Sequence, residues 1–538
     1  MINYHSHHRV MLLFTFAMLF TLLSSCQSNE KRQSNTAQRD TTIKIENSFN
    51  KLFIDTTTMT HFMQTKRSDS LNNKIFEFYD RRNYQFAWFF PDGMAEYVNT
   101  FMSLQDDYIF DSGDSSLFDP SLQANIDSLN LLKDIIPTDP LVINTELALT
   151  EQFFRYTQKA YSGDKSINIQ KLDWYIPRKT VNSATFLDSL VKNKGENLAS
   201  YEPVNRQYNL LKEQLKIYHL LASEDWAELK TGKTIKFGDI SPSVPEIKRR
   251  LVLLKDMQTG DSSNVFDSLL LEGVKSFQTR HGLEKTGEIG PAILTELNVP
   301  IRERVRQMLI NIERIRWVPA TPSTDYILVN IPEFRLHMYD KGQLAFSMNA
   351  VVGSQVHSTV IFAGKLNQIV FSPYWNVPPG ILKNEVLPGI KRSKSYLARH
   401  NMEWNGGSVR QKPGRSNSMG LVKFLFPNNY NIYLHDTPSK SLFGESQRAF
   451  SHGCIRISEP KKLADFLLRA DSTWTTSKIT AAMNSGKQKY VQLRGQNKIP
   501  VFIGYFTAWV DHTGKLNFRK DIYGHDKKMA ERLFVSGE

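Results

Sequence analysis

Two short stretches in the carboxyl-terminal half of the chain decide its fold and its chemistry. Residues 421–438 read LVKFLFPNNYNIYLHDTP, and residues 449–458 read AFSHGCIRIS. In the first stretch, apolar residues such as Val422 and Phe424 alternate with other residues around a Pro-Asn-Asn turn, which predicts a β-hairpin. His435 closes the second strand of that hairpin. The loop that follows returns the chain to the same neighbourhood at the second stretch.

The second stretch holds a single thiol. The chain has two cysteines, and once the amino-terminal leader with Cys26 is set aside, Cys454 is the only one left. A lone cysteine flanked by His and Gly, with His435 a loop upstream, is a candidate activated nucleophile rather than half of a disulfide. A helix with Ser458 as its N-cap and Pro460 in its first turn would bracket the site from the other side.

Thiol chemistry depends on the groups around Cys454. A free thiol has a pKa of about 8.5, and a nearby imidazole activates it by accepting the proton or by pairing with the anion. His435 is the predicted base. Gly453 permits a tight turn, so that its N–H and that of Cys454 can point at a developing oxyanion. His452 and Arg456 can then orient a carbonyl or a carboxylate of the substrate.

Two other interpretations of this thiol stay open at the level of the residues. A buried, inert cysteine beside a structural histidine is common, and the tripeptide His-Gly-Cys alone would be a weak signal. A structural zinc site fits poorly, because one Cys and two His have no further ligand clustered with them. Since the nucleophile, the base and the oxyanion donors would all be protein groups, the sequence implies no metal and no organic cofactor.

The amino terminus predicts export. An apolar run over residues 10–23 is short for a membrane span but typical of the core of a secretory signal. It ends in Leu23-Ser24-Ser25-Cys26, which resembles the lipobox of bacterial lipoproteins. We therefore expect residues 1–25 to be a signal peptide, Cys26 to carry a lipid, and residues 26–47 to be a flexible tether. An ordinary cleaved signal and an uncleaved anchor helix are the alternatives.

Composition narrows the class of function. The chain has 538 residues, a formal net charge of +13 and a pI near 9.3. An exported chain of this size with two cysteines is not a disulfide scaffold and can rely on a hydrophobic core. The positive charge suits anionic polymers of the cell envelope as well as nucleic acid. Export and the lack of any zinc-finger, P-loop or helix-turn-helix pattern argue against a nucleic-acid partner.

Several domains are expected for this length, in a multidomain α+β fold. Residues 48–240 show helical periodicity, for example at Leu211 and Leu215, and are predicted to be an α-helical scaffold. Residues 241–300 predict a small helical module with two amphipathic helices, around Val244–Leu254 and Leu270–Phe277, and Gly-rich turns. Over residues 301–538, short β-rich runs separated by Gly, Pro, Asp and Asn predict a mostly β domain of the sandwich or barrel type.

The small module resembles the widespread three-helix peptidoglycan-binding domain. The pattern that carries this resemblance couples a helix ending in Phe277-Gln278 with the turn Gly282-Leu283 and with a Gly-x-x-Gly loop at Gly287–Gly290. Ile293 stands where the family usually has Thr. The resemblance implies glycan binding, and a purely structural three-helix spacer is the alternative.

The β domain resembles the catalytic domain of the L,D-transpeptidases, the YkuD type, in which a His precedes Ser/Thr-His-Gly-Cys by a loop of this length. One departure is Ser358-Thr359-Val360, where the family commonly has Thr-Pro. The implied fold is a YkuD-like β-sandwich with a capping loop inserted at about 374–410. Further resemblance to the long, multidomain, periplasmic YcbB-like branch rests on the module and on residues 84–88, 311–319, 374–378, 410–414 and 434–438.

This resemblance assigns roles to residues of the chain. Cys454 would attack the carbonyl of the third residue of a peptidoglycan stem tetrapeptide, expel the terminal D-Ala and hold the stem as a thioester. His435 would be the general base, steadied by the backbone carbonyl of Asp436. The residues expected to shape the oxyanion and substrate pocket are Ser451, His452, Gly453, Arg456, Tyr374 and Trp375.

The acceptor of the acyl group is left open by the sequence. An amine of another stem would give a 3-3 cross-link, water would make the enzyme an L,D-carboxypeptidase, and a lipoprotein lysine would make it an anchoring transpeptidase. The branch resemblance favours cross-linking, and it implies covalent inhibition by carbapenem-type β-lactams. The branch is periplasmic, the lipobox-like sequence predicts a lipid anchor at Cys26, and by analogy with lipoproteins Gln27 after Cys26 suggests the outer membrane of a Gram-negative bacterium. A non-catalytic peptidoglycan-binding lipoprotein is the alternative from another class.

Overall fold

The computed structural model describes residues 50–65, 69–132, 134–224, 226–319 and 324–534. The predicted signal peptide, Cys26 and the predicted tether lie outside the described residues. Packing divides the chain into two compact units, one that ends at Asn99 and resumes over Asp119–Gln152, and one formed by Thr100–Phe118 and the chain from Phe153 onward. Within the described ranges, no helix has both the length and the apolar character needed to cross a membrane.

The first unit has a core rich in aromatic side chains, with Trp88 and Phe89 fully buried. Buried Glu146 accepts hydrogen bonds from the Tyr79 hydroxyl and from the N–H groups of Ala87 and Trp88. Burial raises the pKa of Glu146 to about 7. The elements up to residue 157 are α1, Thr56–Thr65; α2, Asp69–Arg81; β1, Phe89–Phe90; β2, Gly93–Met94; α3, Tyr97–Ser112; α4, Pro120–Leu129; and α5, Pro140–Thr157.

Two further helices of the predicted scaffold belong to the second unit. They are α6, Ser183–Lys192, and α7, Arg206–Leu221. The helical periodicity predicted here is confirmed, because Leu211 and Leu215 are fully buried on one side of α7. Helix α7 packs on α11, Ile301–Trp317, which leads into the β domain.

The three helices predicted for the module are present. They are α8, Val244–Leu253; α9, Ser268–Arg280; and α10, Pro291–Leu297. They enclose a core of their own, to which Val244, Phe277 and Ile293 belong. The residue that departs from the family pattern, Ile293, is therefore used for packing within the module.

The module is fixed to the β domain at a small hairpin formed by β17, Ala508–Val510, and β18, Leu516–Phe518. The His281 ring stacks on Phe518 with 5.6 Å between ring centroids. Just beyond the hairpin, the Arg519 guanidinium donates a hydrogen bond of 2.8 Å to the Arg280 carbonyl. Backbone and side-chain contacts therefore join the last turn of α9 to the β domain.

The β domain is built on one curled sheet of eleven strands. Across the sheet the strands are β15, Lys489–Gln492; β7, Gln368–Phe371; β11, Val422–Leu425; β12, Leu434–His435; β14, Ile455–Ile457; β5, Gln343–Gly353; β4, Arg335–Asp340; β3, Tyr326–Asn330; β16, Ile499–Gly504; and β6, Phe362–Leu366; with β13, Ala449–Ser451, beside β5. The predicted hairpin is confirmed, because β11 and β12 pair antiparallel. Three pairs are parallel, namely β12 with β14, β3 with β16 and β5 with β13.

One face of this sheet is apolar, and the other carries the polar residues of the two stretches. Val422, Leu434 and Ile455 belong to the main core. Side chains alternate along a strand, so His435 and Arg456 lie on the opposite face. The core is completed by residues from α15, Pro460–Leu467; α16, Thr476–Asn484; and α17, His525–Leu533.

Helix α15 begins after a different cap from the one predicted. Glu459 occupies the N-cap position, and no side chain caps the helix. The Ser458 N–H donates to the Asn349 carbonyl, which continues the pairing of β14 with β5. The prediction of Ser458 as N-cap is therefore wrong, because Ser458 still pairs with β5 as part of the sheet. The prediction that Pro460 lies in the first turn is confirmed.

The segment predicted to be a capping loop is a small folded lobe. Val377, Val386 and Val409 form its core. At its root, the Asn417 side-chain amide donates to the carbonyls of Pro373 and Lys412 at 3.1 and 2.9 Å. The elements of the lobe are β8, Trp375–Asn376; α12, Pro379–Ile381; α13, Leu387–Arg392; α14, Tyr396–Arg399; β9, Met402–Asn405; and β10, Ser408–Gln411.

Candidate active site

Strand register brings three predicted site residues onto one face of the sheet. Lys423 lies opposite His435 in the antiparallel pair β11–β12, and His435 lies opposite Arg456 in the parallel pair β12–β14. Cys454 precedes Arg456 by two residues, so its side chain faces the same way. The structure therefore places Cys454, His435 and Arg456 on one face of two adjacent strands.

The Ser-His-Gly-Cys turn is held together by the Ser451 hydroxyl. This hydroxyl donates to the Cys454 carbonyl at 2.5 Å and accepts the Gly453 N–H at 3.1 Å. Gly453 has a φ of 108°, which a residue with a Cβ rarely adopts. Ser451 is buried and acts inside the turn, so its predicted place in the substrate pocket is not what the structure gives. The Gly453 N–H is also engaged, which contradicts its predicted use as an oxyanion donor.

The turn is tied to β5 by a residue of the segment that departs from the family pattern. The Thr359 hydroxyl donates to the Gly453 carbonyl at 2.8 Å and accepts the Gly353 N–H at 2.9 Å. The Tyr523 hydroxyl donates to the Gly353 carbonyl at 2.6 Å. Thr359 therefore connects the end of β5 to the turn that precedes the thiol.

His435 is held in one tautomer. Its Nδ1 lies 2.5 Å from the Asp436 carbonyl oxygen, and because a carbonyl can only accept, Nδ1 carries the proton and Nε2 the lone pair. The side chain is buried, and burial is the main cause that lowers the pKa of His435 to about 3, with the charges of Arg456 and Lys423 acting in the same direction. His435 is therefore neutral at pH 7 and can accept a proton at Nε2.

The Asp436 carboxylate is turned away from this imidazole. It accepts the Leu421 N–H at 2.8 Å on one oxygen, and the Thr437 N–H at 2.8 Å and the Lys440 ammonium at 2.6 Å on the other. The carboxylate thus anchors the backbone at the end of β12, and the carbonyl of the same residue orients His435. This division of roles is the geometry that the family resemblance implies.

Cys454 is partly exposed and is the free cysteine among the described residues. Its thiol donates to the Asn431 carbonyl at 3.4 Å. Burial raises the pKa of Cys454, against the opposing effects of Tyr433, Arg456 and Lys423. In the described part of the chain, no hydrogen bond joins its Sγ to His435. The resting pair is therefore a thiol beside a neutral imidazole, not a thiolate–imidazolium ion pair.

Arg456 and His452 differ in their surroundings. Arg456 is half-buried, and its buried Nε has no hydrogen-bond partner within the described chain. Burial lowers the pKa of its guanidinium. His452 is exposed and its ring lies beside that of His357, with 4.9 Å between centroids. Of the two, Arg456 has a free N–H donor, its Nε, on the sheet face that carries Cys454 and His435, which we call the reactive face.

The two aromatic residues predicted to line the cleft are engaged in the lobe and at its root. The Tyr374 ring lies 4.1 Å from the Arg410 guanidinium, and its N–H donates to the Gln488 side chain at 2.8 Å. Trp375 packs against the core of the lobe. The structure therefore gives both residues packing contacts and brings neither into a hydrogen bond with the Cys–His pair.

Sequence reasoning missed two residues of this face. Tyr433 lies beside His435, with 5.6 Å between ring centroids, and its hydroxyl interacts with the thiol of Cys454. Lys423 lies on the far side of His435. Alternation along the strands was the signal that could have found both, because Tyr433 precedes His435 by two positions and Lys423 interrupts an apolar run.

Fold and site together define a β domain with a cysteine–histidine pair at the end of a hairpin. Residues 324–499 match the family profile of the L,D-transpeptidase catalytic domain, YkuD, residues 73–215 match a scaffold domain, and residues 241–297 match a domain described as "Putative peptidoglycan binding domain". The chain therefore carries an L,D-transpeptidase catalytic domain of the YkuD type together with a peptidoglycan-binding domain.

The chain is also similar to a curated relative and to solved structures. A "Putative L,D-transpeptidase" of Haemophilus influenzae is 31% identical over 245 residues, which are 42% of this chain and 49% of the relative. The chain thus spans about half the length of this relative. An L,D-transpeptidase structure from Stackebrandtia nassauensis has 14% identity, covers 45% of this chain and 91% of its own, and gives a TM-score of 0.21. One from Xylanimonas cellulosilytica has 13% identity, covers 52% and 100%, and gives a TM-score of 0.17.

Proposed function

We propose that this chain is an enzyme that acts on peptidoglycan by L,D-transpeptidation, with Cys454 as nucleophile and His435 as general base. The observation that carries the proposal is the pairing of a partly exposed thiol with a neutral, oriented imidazole on one sheet face, inside the matched range 324–499. A base of this kind takes the thiol proton as the sulfur attacks, so no thiolate has to exist beforehand.

The first half-reaction transfers an acyl group to sulfur. His435 Nε2 takes the thiol proton while Sγ bonds to the carbonyl carbon of the third stem residue, whose oxygen becomes an oxyanion. Collapse of this intermediate breaks the C–N bond to the terminal D-Ala, and the leaving amine takes the proton back from the imidazolium. The products are a thioester on Cys454 and free D-Ala.

The oxyanion needs donors that the turn has not already used. The Cys454 N–H donates to no acceptor within the described chain, whereas the Gly453 N–H is occupied. The Tyr433 hydroxyl, which interacts with the thiol, is the second donor that we assign to this site. Donors fixed by strand pairing cost no reorganisation when charge develops on the substrate.

The second half-reaction releases the stem to an acceptor amine. The amine attacks the thioester, His435 accepts its proton, and the Cys454 thiolate leaves and recovers that proton. We propose a side-chain amine of another stem as the acceptor, which gives a 3-3 cross-link. Support comes from the resemblance to the YcbB-like branch and from the scaffold match over residues 73–215. Water and a lipoprotein lysine would react by the same steps.

Product analysis on defined substrates tests this function. Purified protein incubated with disaccharide tetrapeptides is expected to release D-Ala and form 3-3 dimers that mass spectrometry identifies, and the Cys454→Ala variant is expected to form neither. Tripeptides without dimers would assign the carboxypeptidase reaction instead. The transpeptidase proposal fails if the wild type and the Cys454→Ala variant give the same products.

Inhibition gives an independent test of the nucleophile. We expect Cys454 Sγ to open the β-lactam ring of a carbapenem, because the sulfur that attacks the stem peptide would also attack the β-lactam carbonyl. The ring-opened drug would stay attached and add its full mass to the intact protein. Peptide mapping should place the adduct on the peptide that contains Cys454. The Cys454→Ala variant is the control, and an adduct that persists in it would contradict the assignment.

We also propose that the protein is periplasmic and anchored by a lipid on Cys26, at the outer membrane of a Gram-negative bacterium. The support is the lipobox-like sequence at residues 23–26 after an apolar run. Labelling of the full chain with a radioactive fatty acid should mark the wild type and not the Cys26→Ser variant. Equal labelling of both proteins, or recovery of both from the soluble fraction alone, would contradict this anchor.

A further inference from the structure

Two cations flank the proposed general base on the reactive face of the sheet. Lys423 is the Cα partner of His435 on one side, and Arg456 is its partner on the other. Paired residues on neighbouring strands lie roughly 5 Å apart and point to the same face. The three side chains therefore form a row across β11, β12 and β14, and the base is the neutral member at its centre.

Neither cation has an anionic partner among the described residues. Lys423 takes part in no ion pair there, and its ammonium lies 5.9 Å from the Tyr433 ring centroid. The buried Nε of Arg456 has no hydrogen-bond partner in the same ranges. The carboxylate of Asp436, the residue that follows His435, is used by two backbone N–H groups and by Lys440.

An unpaired, partly buried cation is unfavourable unless a ligand supplies the missing negative charge. Taking an ammonium out of water without a counter-ion carries a large desolvation penalty. Val422, Phe424 and Phe426 face the core, so Lys423 lies on the opposite face of the strand, where it is half-buried beside His435. Two such cations beside one histidine make a site with a surplus of positive charge, which is suited to an anion.

The chemistry of the leaving group fixes where an anion would lie. In the proposed reaction His435 protonates the departing D-Ala amine, which therefore lies at Nε2. The carboxylate of that D-Ala is joined to the amine through a single carbon atom, so it must lie close to His435, no farther away than the length of one amino acid. The positions of Lys423 and Arg456 on either side of His435 fall within that reach.

We propose that Lys423, together with Arg456, binds the terminal carboxylate of the donor stem and so selects stems whose scissile bond is followed by a single D-amino acid with a free carboxylate. Arg456 was expected to orient a carbonyl or carboxylate of the substrate, whereas Lys423 is a new specificity-determining residue. A bound carboxylate also holds the scissile bond in register with Cys454. This inference rests on the proposed function.

A matched pair of substrates tests the proposal. A disaccharide tetrapeptide with a terminal carboxylate is compared with the same compound as a terminal carboxamide, and the rate of thioester formation is followed by mass spectrometry of the quenched protein. The wild type is expected to favour the carboxylate at least tenfold in kcat/KM. The Lys423→Met variant is expected to lose most of this preference, because it slows with the carboxylate and not with the carboxamide.

Two further variants complete the design. Lys423→Arg keeps a cation and should retain much of the preference. Lys365→Met removes an exposed lysine from β6, at the opposite edge of the sheet, and should behave like the wild type. Because Lys423→Met removes an unpaired cation, its melting temperature should equal or exceed that of the wild type. A large decrease would give Lys423 a structural role and count against the proposal.

The alternative role of Lys423 is to stabilise the Cys454 thiolate. In that case Lys423→Met would slow both substrates equally and move the pH dependence of thiol alkylation by iodoacetamide to higher pH. Equal slowing, or a wild type that does not distinguish the two substrates, overturns the assignment of Lys423 and leaves the transpeptidase intact. A wild type that forms no thioester with either substrate overturns the proposed function and this inference together.

Discussion

At the scale of single residues, the proposed nucleophile and the proposed base are both uncharged at neutral pH. Burial is the main cause that raises the pKa of Cys454 and lowers that of His435, so the proton stays on sulfur at neutral pH. A thiol is a weaker nucleophile than a thiolate, but it is also less readily oxidised. In the proposed reaction, proton transfer must therefore accompany the attack, and the Nε2 lone pair of His435 is the acceptor that this requires.

The lowered pKa of His435 predicts an unusual pH dependence. A base with a pKa of about 3 keeps its lone pair as the pH falls from 7 to 5, whereas an ordinary histidine with a pKa near 6.5 would become mostly protonated and lose activity about 25-fold. Thioester formation should therefore change less than threefold over this interval. The measurement is the single-turnover rate with a tetrapeptide donor, and a tenfold decrease between pH 7 and pH 5 would contradict it.

The carbonyl of Asp436, not its carboxylate, orients the base. Asp436→Asn should therefore lower kcat less than tenfold, far less than the ~10⁴-fold loss when the carboxylate of a Ser-His-Asp triad is neutralised. The same change weakens the anchor to Leu421 and Lys440 and should lower the free energy of unfolding by about 1–3 kcal/mol. Steady-state kinetics measures the change in kcat, and denaturant unfolding measures the change in stability. A loss of kcat beyond a hundredfold would assign the carboxylate a catalytic role.

The residue types at the site could be predicted from sequence, but their hydrogen bonds could not. His435 and Cys454 stand out because a lone thiol and a strand-ending histidine are rare signals in a long chain. Ser451 and Gly453 belong to the same motif, yet whether they face a substrate or each other depends on how the turn closes. The structure closes it through the Ser451 hydroxyl, which occupies the Gly453 N–H.

At the scale of elements, β5 and the thiol turn are joined by side chains that are distant in sequence. Thr359 connects Gly353 with Gly453, and Tyr523 reaches the same point from the start of α17. Alternating patterns predicted the strands, since burial on one face leaves a period of two. They could not predict these hydrogen bonds, because nothing in the sequence around a buried threonine indicates which distant residue its hydroxyl will contact.

Thr359 offers a clean test of this tie. Thr359→Val removes one donor and one acceptor and leaves the Gly353 N–H and the Gly453 carbonyl unpaired in a buried site. We expect the free energy of unfolding to fall by about 1–3 kcal/mol and thioester formation to slow. Thr359→Ser keeps the hydroxyl and should stay close to the wild type in both measurements. A larger effect of Thr359→Ser than of Thr359→Val would show that the methyl group, not the hydroxyl, matters.

The lobe is tethered by its root at Asn417. This buried side chain donates to the carbonyls of Pro373 and Lys412, one on each arm of the segment that leaves the sheet and returns. Asn417→Ala should increase amide hydrogen exchange across the lobe, residues 374–411, while β12 and β14 stay protected. Asn405→Ala, at an exposed position on β9, is the control. Unchanged exchange in the lobe would show that its own core suffices to hold it.

At the scale of the whole molecule, the second unit holds the three-helix module against the β domain through side-chain contacts. Helix composition and turn glycines predicted the module, but its docking involves Arg280, His281 and Arg519, which are ordinary surface types in sequence. Arg280 is instead buried, with Asp256 as its ion-pair partner at 2.6 Å. The sequence alone cannot tell a buried pair from a solvated one, because both satisfy the same charge pattern.

Two glycines with the same backbone geometry test this docking. Gly282 has a φ of 66°, and a Cβ there would lie 2.5 Å from the Arg519 side chain, whereas Gly486 has a φ of 64° with no atom within 4 Å of the same position. Alanine at either site pays the same left-handed backbone strain, about 1–2 kcal/mol. Gly282→Ala must also displace Arg519 from the Arg280 carbonyl. We therefore expect it to lower the free energy of unfolding by about 1 kcal/mol more than Gly486→Ala does.

Hydrogen exchange locates the effect of these two variants. Gly282→Ala should raise exchange in β17, β18 and the end of α9, and Gly486→Ala should raise it only around residue 486. If the module tethers the substrate polymer beside Cys454, the loosened variant should also lose activity on intact sacculi more than on soluble disaccharide tetrapeptides. Equal activity on both substrates, together with increased exchange at the hairpin, would show that docking serves stability and not catalysis.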